Sequence, residues 1–495
     1  MFTNYHGFHI IEALHMKKRA KQFTSSRYFR MVICAAIALI LAWLPAEFFH
    51  IDGLTVIEQR VIALFVFAGL MWITEAMPAW GTSFLVVVIM LLTVSTAPLS
   101  FFDVGEVSGD YGRPIPYKNI MAVFSDPTIM LFIGGFVLAI GLTKTGLDMF
   151  IAKVLLKPFG TKSENVLMGF IVVTAVLSAF VSNTATAAMM VAFLTPVLKS
   201  LPADGKGRIA LAMAIPIGAN IGGIATPIGT PPNLIALGYL QEQLGLSISF
   251  GEWMMKMVPF VLILLFVGWV TLRILFPFKQ KEIHLDIKGD LKKDKATYIV
   301  AITFIVTVIL WCFGDMIHAG LNSYIIAMIP VAVFIVGGIF NRRDLEQINW
   351  GVLWMVAGGF ALGVALNYTR LSNHLVESIP FGTWPFLVVT IVAMLVCFGF
   401  SNLISHSATA ALLVPVIGVI AGAMQASTGD AAIPRQMLVA VAIAASVSMI
   451  LPISTPPNAI AHSTGYIEQK DMVKVGVIIG VVGLVGGMGW LMLVF

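Results

Sequence analysis

The sequence predicts an all-α polytopic membrane protein, with about 11 transmembrane helices and two re-entrant helical hairpins set in two inverted repeats. Three observations carry the prediction. Of the 495 residues, 59% are hydrophobic and only 11% are charged, against about 25% charged in a soluble globular domain, and the mean hydropathy is +0.94. Apolar runs recur at 31–46, 61–73, 84–97, 258–272, 299–313, 324–340 and 475–495. The chain also repeats itself. Ser178, Ser182, Asn183 and Thr184, followed by Gly229-Thr230-Pro231-Pro232-Asn233, return as Ser401, Ser405, His406 and Ser407, followed by Ser454-Thr455-Pro456-Pro457-Asn458. Ser182 and Ser405 are 223 residues apart, Pro232 and Pro457 are 225 apart, and Gly134-Gly135 and Gly358-Gly359 are 224 apart. Unlike motifs held to one spacing imply two copies of one unit, the mark of a secondary transporter built from internal repeats.

Taken in order, residues 1–30 carry Lys17, Lys18, Arg19, Lys21, Arg27 and Arg30 and read as a cytoplasmic tail by the positive-inside rule. A signal peptide fits poorly, because the tail is long and no small-residue cleavage site follows it. Residues 31–117 supply scaffold helices and end in an acidic loop, with Asp103, Glu106 and Asp110 among its charges, which the threading puts outside. Residues 118–241 form the first repeat and residues 242–296 a span and cytoplasmic linker. From Arg273 to Lys295 that linker holds seven basic and four acidic residues. Residues 297–348 return to scaffold, 349–467 form the second repeat, and 468–495 make a last span that ends outside. The net charge of +5 is split among short loops, which excludes a nucleic-acid surface. Cys34, Cys312 and Cys397 stand far apart on apolar segments, which excludes a disulfide framework and reads as packing.

Within each repeat two segments break the span pattern. Residues 165–198 are 34 uncharged residues, too many for one span and too few for two of about 20. A hairpin that enters and leaves on one side, with Ser182-Asn183 at its tip, resolves this. Its counterpart covers about 383–425, where the longer arms also allow two short full spans. Five spans separate the hairpins, near 208–240, 254–276, 297–316, 322–340 and 350–368, and an odd number gives the two copies opposite orientations. Residues 209–241 hold Pro216, Pro227, Pro231 and Pro232, and residues 436–467 hold Pro452, Pro456 and Pro457. A continuous helix does not tolerate that density, so each reads as a broken helix with unwound carbonyls for a cation and a fresh N-terminus for an anion.

The two polar tips sit in sequence without charge, so an anion would be held by hydroxyls, amides and helix N-termini. Moving a bare dianion into low dielectric costs many kcal/mol, and a co-bound cation offsets that cost. Ser178 and Ser182, like Ser401 and Ser405, are spaced i, i+4 and present oxygens on one helical face, a donor set that fits sodium.

These motifs resemble those of the divalent-anion/sodium symporter family, the sodium-coupled di- and tricarboxylate transporters, and the resemblance covers most of the chain. It implies a homodimer in which a transport domain moves as an elevator against a fixed scaffold in the membrane lipid, in a bacterial cytoplasmic (inner) membrane. It also implies sodium-driven uptake of C4-dicarboxylates such as succinate, malate or fumarate, with citrate or sulfate carried by other members. Position by position, it implies a first sodium site of Ser178, Ser182, Asn183 and Gly229. A second would comprise Ser401, Ile404, Ser454 and His406. Substrate would meet Ser182, Asn183 and Thr184 on one side and Ser405, His406 and Ser407 on the other, with Thr230, Pro231, Thr455 and Pro456 closing the site.

His406 departs from the family pattern, which has Asn there. A neutral imidazole offers one nitrogen lone pair where an amide offers an oxygen, so the second ion site is altered. His406 reads either as a hydrogen-bonding tip residue or as a cation in place of sodium, which would suit proton linkage or obligatory exchange of one dicarboxylate for another. Glu75 and Asp126 read as helix-terminal or scaffold groups, Lys144 and Lys199 as cytoplasmic loop charges, and His6, His9, His15 and His50 show no ligand spacing. No ordered nucleophile and base or His-Glu-x-x-His helix points to an enzyme. An anion channel would want a continuous lined pore rather than two motifs meeting from opposite sides.

Overall fold

The computed structural model describes residues 27–102, 111–202, 205–284, 291–318, 320–378 and 384–495. Lys17, Lys18, Arg19, Lys21, His6, His9, His15, Asp103, Glu106 and Asp110 lie outside the described residues. Among the described residues the chain is helical without strands, the only pairings being isolated bridges at Ser95–Ile115 and Lys162–Glu282. Nine helical segments among them are long and apolar enough to cross a membrane.

Helices α1 (27–43), α2 (Val56–Ile73) and α3 (Ala79–Thr93) come first. Thr55 and Glu58 form a capping box at the start of α2. Short α4 (Tyr117–Ala122) leads to α5 (Pro127–Thr145), where Asp126 accepts the Thr128 N–H and Pro127 takes the first helical position. After α6 (Leu147–Leu156), α7 (Ser163–Ser178) and α8 (Asn183–Ser200) form the first hairpin. Its arms run two residues beyond the uncharged segment at each end. Glu164 lies in the first turn of α7 and Lys199 in the last turn of α8, where their charges complement the helix dipoles. The first broken helix is α9 (Gly207–Gly222) and α10 (Pro231–Leu244).

The crossover between repeats is α11 (Phe250–Leu275), α12 (Lys295–Ile317), α13 (Ser323–Val336) and α14 (Arg342–Leu345). At the start of α12, Asp294 accepts the Thr297 N–H, and that bond holds its carboxyl below the usual carboxylate range. The run expected to reach 340 stops as a helix at Val336, because Gly337 and Gly338, the latter at φ +67°, turn the chain. Helices α15 (Trp350–Tyr368) and α16 (Leu371–Ser378) lead to the second hairpin, α17 (Phe386–Leu403) and α18 (His406–Thr428). The second broken helix starts earlier and ends earlier than expected, as α19 (Ala432–Ser446) and α20 (Pro456–Ser463), and its second half is one short stretch. Helix α21 (Gln469–Val494) closes the chain.

The two repeats interlock. Arm α8 of the first hairpin packs against α20 of the second broken helix, and arm α18 of the second hairpin packs against α10 of the first. Helices α9 and α19 sit innermost, buried along nearly their whole lengths. Close approach of α9 to α7 rests on Gly218 and Gly222. A Cβ at Gly218 would lie 2.6 Å from the Ile171 carbonyl oxygen, and one at Gly222 would strike Ala175, so the pair forms a small-residue seam of the kind that packs membrane helices. The Gly-Gly pairs have the same office: Gly134 brings α5 onto Ala327 of α13, and Gly358 brings α15 onto Ser83 of α3. Outward faces of α11, α12 and α17 expose Leu262, Phe266, Ile302, Ile305, Ile309, Leu387 and Leu395, an apolar surface suited to lipid.

Two loop-charge readings change, since Lys144 and Lys199 both lie in the last turns of helices. Lys144 is no free loop charge: it lies in the last turn of α5, and its Nζ donates to Asp344 Oδ2 and to Ile339 O, each at 2.6 Å. Glu75 agrees with its helix-terminal reading, as an exposed residue at φ +46° in the link just after α2. Cys34 and Cys397 are buried and Cys312 half-buried, all three free.

Candidate functional site

At the first hairpin, α7 ends at Ser178 and α8 begins at Asn183, with Ser182 capping α8 by accepting the Ala185 N–H at 3.3 Å. Ser178 Oγ lies 2.6 Å from Asn183 Oδ1 and 2.9 Å from the carbonyl oxygen of Ala219 on α9. The same Oδ1 atom stands 3.0 Å from Gly229 O and 3.2 Å from Ala219 O. With the amide in this orientation four oxygens face one buried point. With the amide turned over, its Nδ2 lies within donating distance of those three oxygens, and its two hydrogens satisfy the point without an ion. With the oxygen inward, repulsion among the four is relieved by a hard cation, which the donor set fits. Glycine is required on two sides of the cluster: a Cβ at Gly229 would lie 2.5 Å from Gly223 O, and one at Gly223 would lie 2.7 Å from Asn183 Oδ1.

The unwound link that carries Gly229 is shaped by a residue to which the sequence reading gave no role. Asn233 Nδ2 donates to Gly223 O at 3.0 Å and Thr226 O at 2.9 Å. In the second repeat Asn458 Nδ2 donates to Met449 O at 2.9 Å and Leu451 O at 3.0 Å. The asparagine of each Thr-Pro-Pro-Asn motif thus satisfies carbonyls that broken helix geometry leaves free. The prolines occupy the first positions of α10 and α20, where a missing N–H costs nothing.

The second cluster is built differently. Ser454 Oγ lies 3.2 Å from Asn402 O and 3.3 Å from Asn402 Oδ1, and it accepts the Leu451 N–H at 3.1 Å. Asn402 Oδ1 also accepts the Ile450 N–H at 2.8 Å. Asn402, absent from the sequence reading, consumes its oxygen in tying the hairpin to the link. Ser401 is fully buried with the Cys397 thiol at 3.9 Å, Ile404 is buried, and His406 is buried with Nδ1 lacking any partner. So the structure brings Ser178, Asn183 and Gly229 into one oxygen cluster, whereas Ser454 is bonded to Asn402 and no bond joins Ser401 to His406.

The candidate residues include four helix N-termini: α8 at Asn183, α10 at Pro231, α18 at His406 and α20 at Pro456. Thr184 and Pro456 are exposed, Ser182, Ser405 and Pro231 half-buried, and Ser407, Thr230 and Thr455 buried. A cavity of about 420 Å³ at the second tip is lined by Ile404, Ser405 and Ala408 and, across from them, by Arg27, Trp72 and Glu75. Arg27, read in the sequence only as a topology charge, is held there by donating from Nε to Ala76 O at 2.7 Å. Its place before the first span is the only sequence signal it offers.

The pattern is matched by a family model described as the sodium:sulfate symporter transmembrane region, over residues 25–494. The chain belongs to that family. Among its relatives is the sodium-dependent dicarboxylate transporter SdcS of Staphylococcus saprophyticus, 30% identical over 88% of this chain and 86% of that protein. The protein of the same description from Staphylococcus aureus is 28% identical over 93% of this chain and 89% of its own length. The crystal structure of the YdaH transporter of Alcanivorax borkumensis shares the fold, with a TM-score of 0.51 over 76% of this chain and 86% of that one at 14% identity. A member of this symporter family is an integral membrane transporter and not an enzyme.

Proposed function

We propose that the protein couples sodium to the uptake of divalent anions, most directly C4-dicarboxylates such as succinate, malate or fumarate. The observation that carries this reading is the oxygen cluster of Ser178, Asn183, Ala219 and Gly229, and the dicarboxylate class rests on the description of the relatives. Sodium, itself cargo, would be held by that cluster beside the N-terminus of α8. Its charge offsets the desolvation of a dianion. The substrate carboxylates would then take hydrogen bonds from Ser182, Asn183 and Thr184 on one side and Ser405, His406 and Ser407 on the other, with Thr230, Pro231, Thr455 and Pro456 closing the site. A second sodium at Ser401, Ile404, His406 and Ser454 has weaker support, because Asn402 already engages Ser454.

In this reading the hairpins are re-entrant, the N-terminus lies in the cytoplasm and the C-terminus outside, and the protein works as a homodimer in a bacterial inner membrane. Hairpins and broken helices move together as an elevator against a scaffold of α1–α3 and α12–α13. Proteoliposomes test the function directly. An inward sodium gradient should drive accumulation of succinate above its external concentration, with malate, 2-oxoglutarate, citrate and sulfate as competitors. Succinate uptake that ignores sodium, or sulfate accumulation with no dicarboxylate uptake, would overturn it. Exchange of internal for external dicarboxylate without sodium is the second reading, favoured by the unpartnered His406.

A further inference from the structure

We propose that Asn220 is a positioning residue that links the first ion cluster to the anion site across the repeat boundary, a role that rests on the functional reading above. Asn220 belongs to α9 of the first repeat, and its side chain is buried. Its Nδ2 reaches into the second repeat, donating to Thr455 Oγ1 at 3.1 Å and to Asn458 Oδ1 at 3.2 Å. The residue before it, Ala219, contributes its carbonyl oxygen to the Ser178–Asn183–Gly229 cluster. Two consecutive residues of one rigid helical turn therefore touch both halves of the site.

The hydrogen-bond count at Thr455 shows what this does. Its Oγ1 accepts the Asn458 N–H at 3.3 Å as well as the Asn220 Nδ2–H. A hydroxyl has two lone pairs and one proton. With both lone pairs engaged, the Thr455 hydroxyl can act only as a donor, which is the character an anion requires. At the mirrored position Thr230 Oγ1 is buried without any partner, so its hydroxyl is not committed in this way.

In the internal repeat the other link forms without such an amide. The displacement of 225 that takes Thr230 to Thr455 takes Asn220 to Ala445. Neither Ala444 nor Ala445 bears a polar side chain, and the neighbouring Ser446 turns its hydroxyl back to Ala442 O at 2.8 Å. Correspondingly, Asn233 Oδ1 has no partner, whereas its counterpart Asn458 Oδ1 receives Asn220. The asparagine-bonded link forms in both repeats, so the extra bonds are not what that link requires in order to form. A cation that draws on the Ala219 carbonyl sets the position of α9 at that turn, and Asn220 passes that position to Thr455.

The test is a linkage measurement on the full-length protein in detergent. Succinate affinity is measured in sodium chloride and in choline chloride, giving the factor by which sodium tightens succinate. Coupling factors of about 5 to 150 are usual for linked sites. Asn220→Ala should cut this factor at least about threefold toward one, while the thermal shift produced by sodium alone stays as in the wild type. Asn220→Ser, whose hydroxyl is too short to reach either partner, should behave alike and matches the size of residues at the mirrored turn. By reciprocity, succinate should tighten sodium less in the variants by the same factor. A folded variant, of either kind, whose coupling factor stays at the wild-type value overturns the proposal and leaves the functional reading standing. A wild type in which sodium and succinate bind independently overturns both.

Discussion

Gly223→Ala is the most direct probe of the oxygen cluster, because the residue changes no ligand and only fills space. Gly223 has an ordinary φ of −59°, so alanine meets no backbone strain there. Its Cβ would nevertheless lie 2.7 Å from Asn183 Oδ1, 3.0 Å from Asn183 Nδ2 and 3.2 Å from Gly229 O. Ordinary contact distances begin near 3.4 Å, so Asn183 must retreat by about 0.7 Å, with a smaller shift of Gly229. A displacement of that size spoils contacts to a charged group, worth about 1.5–3 kcal/mol each. Since a factor of ten corresponds to about 1.4 kcal/mol, the sodium concentration for half-maximal effect should rise about ten- to hundredfold. Overpacking itself lowers stability by about 1–3 kcal/mol, so the readout is the sodium dependence of the thermal shift, not the sodium-free Tm. Uptake in proteoliposomes against sodium concentration should move in parallel. Gly489→Ala, whose Cβ would meet nothing within 4 Å, serves as the control. A Gly223→Ala protein with a sodium half-point within twofold of wild type would falsify the placement of the ion.

Asn183→Ala or Thr184→Ala should remove most succinate uptake and leave a folded protein, since neither contributes an apolar side chain to the core; near-normal uptake by either refutes its role. His406→Asn restores an amide at the second tip and should steepen the response of initial uptake to sodium, whereas superimposable sodium curves would assign His406 a structural role only. Asn402→Ala leaves the Ile450 N–H without its acceptor, while the Ser454 hydroxyl keeps the main-chain carbonyl of residue 402, and should cost about 1–3 kcal/mol, read as a lowered Tm; an unchanged Tm would mean that water replaces the amide.

The helical membrane class, the repeated unit and the interrupted helices follow from local properties of the chain. Apolar runs separated by charged loops leave few alternatives to spanning helices, because a backbone in lipid must satisfy its own hydrogen bonds. Prolines at 231, 232, 456 and 457 exclude continuous helices wherever those residues are placed. Ser178, Asn183 and Gly229 were legible as candidates because polar motifs recur at one displacement in otherwise apolar sequence. Tertiary structure decided which of these residues meet. Ala219 joins the cluster through a backbone carbonyl, which carries no side-chain signature, and does so because the glycine seam brings α9 onto α7. Asn220 reaches Thr455 across 235 residues, a contact that exists only because the two repeats interlock. Asn402 lies between two motif residues and differs from its counterpart Ala179, so repetition could not reveal it. The two half-sites look alike in sequence, yet in one the Asn183 amide faces Ser178 Oγ and the carbonyls of Ala219 and Gly229, whereas in the other the Asn402 amide oxygen accepts N–H and O–H donors. That difference comes from which distant helices pack at each link, because the partners that meet Asn183 and Asn402 lie on elements far away in the chain.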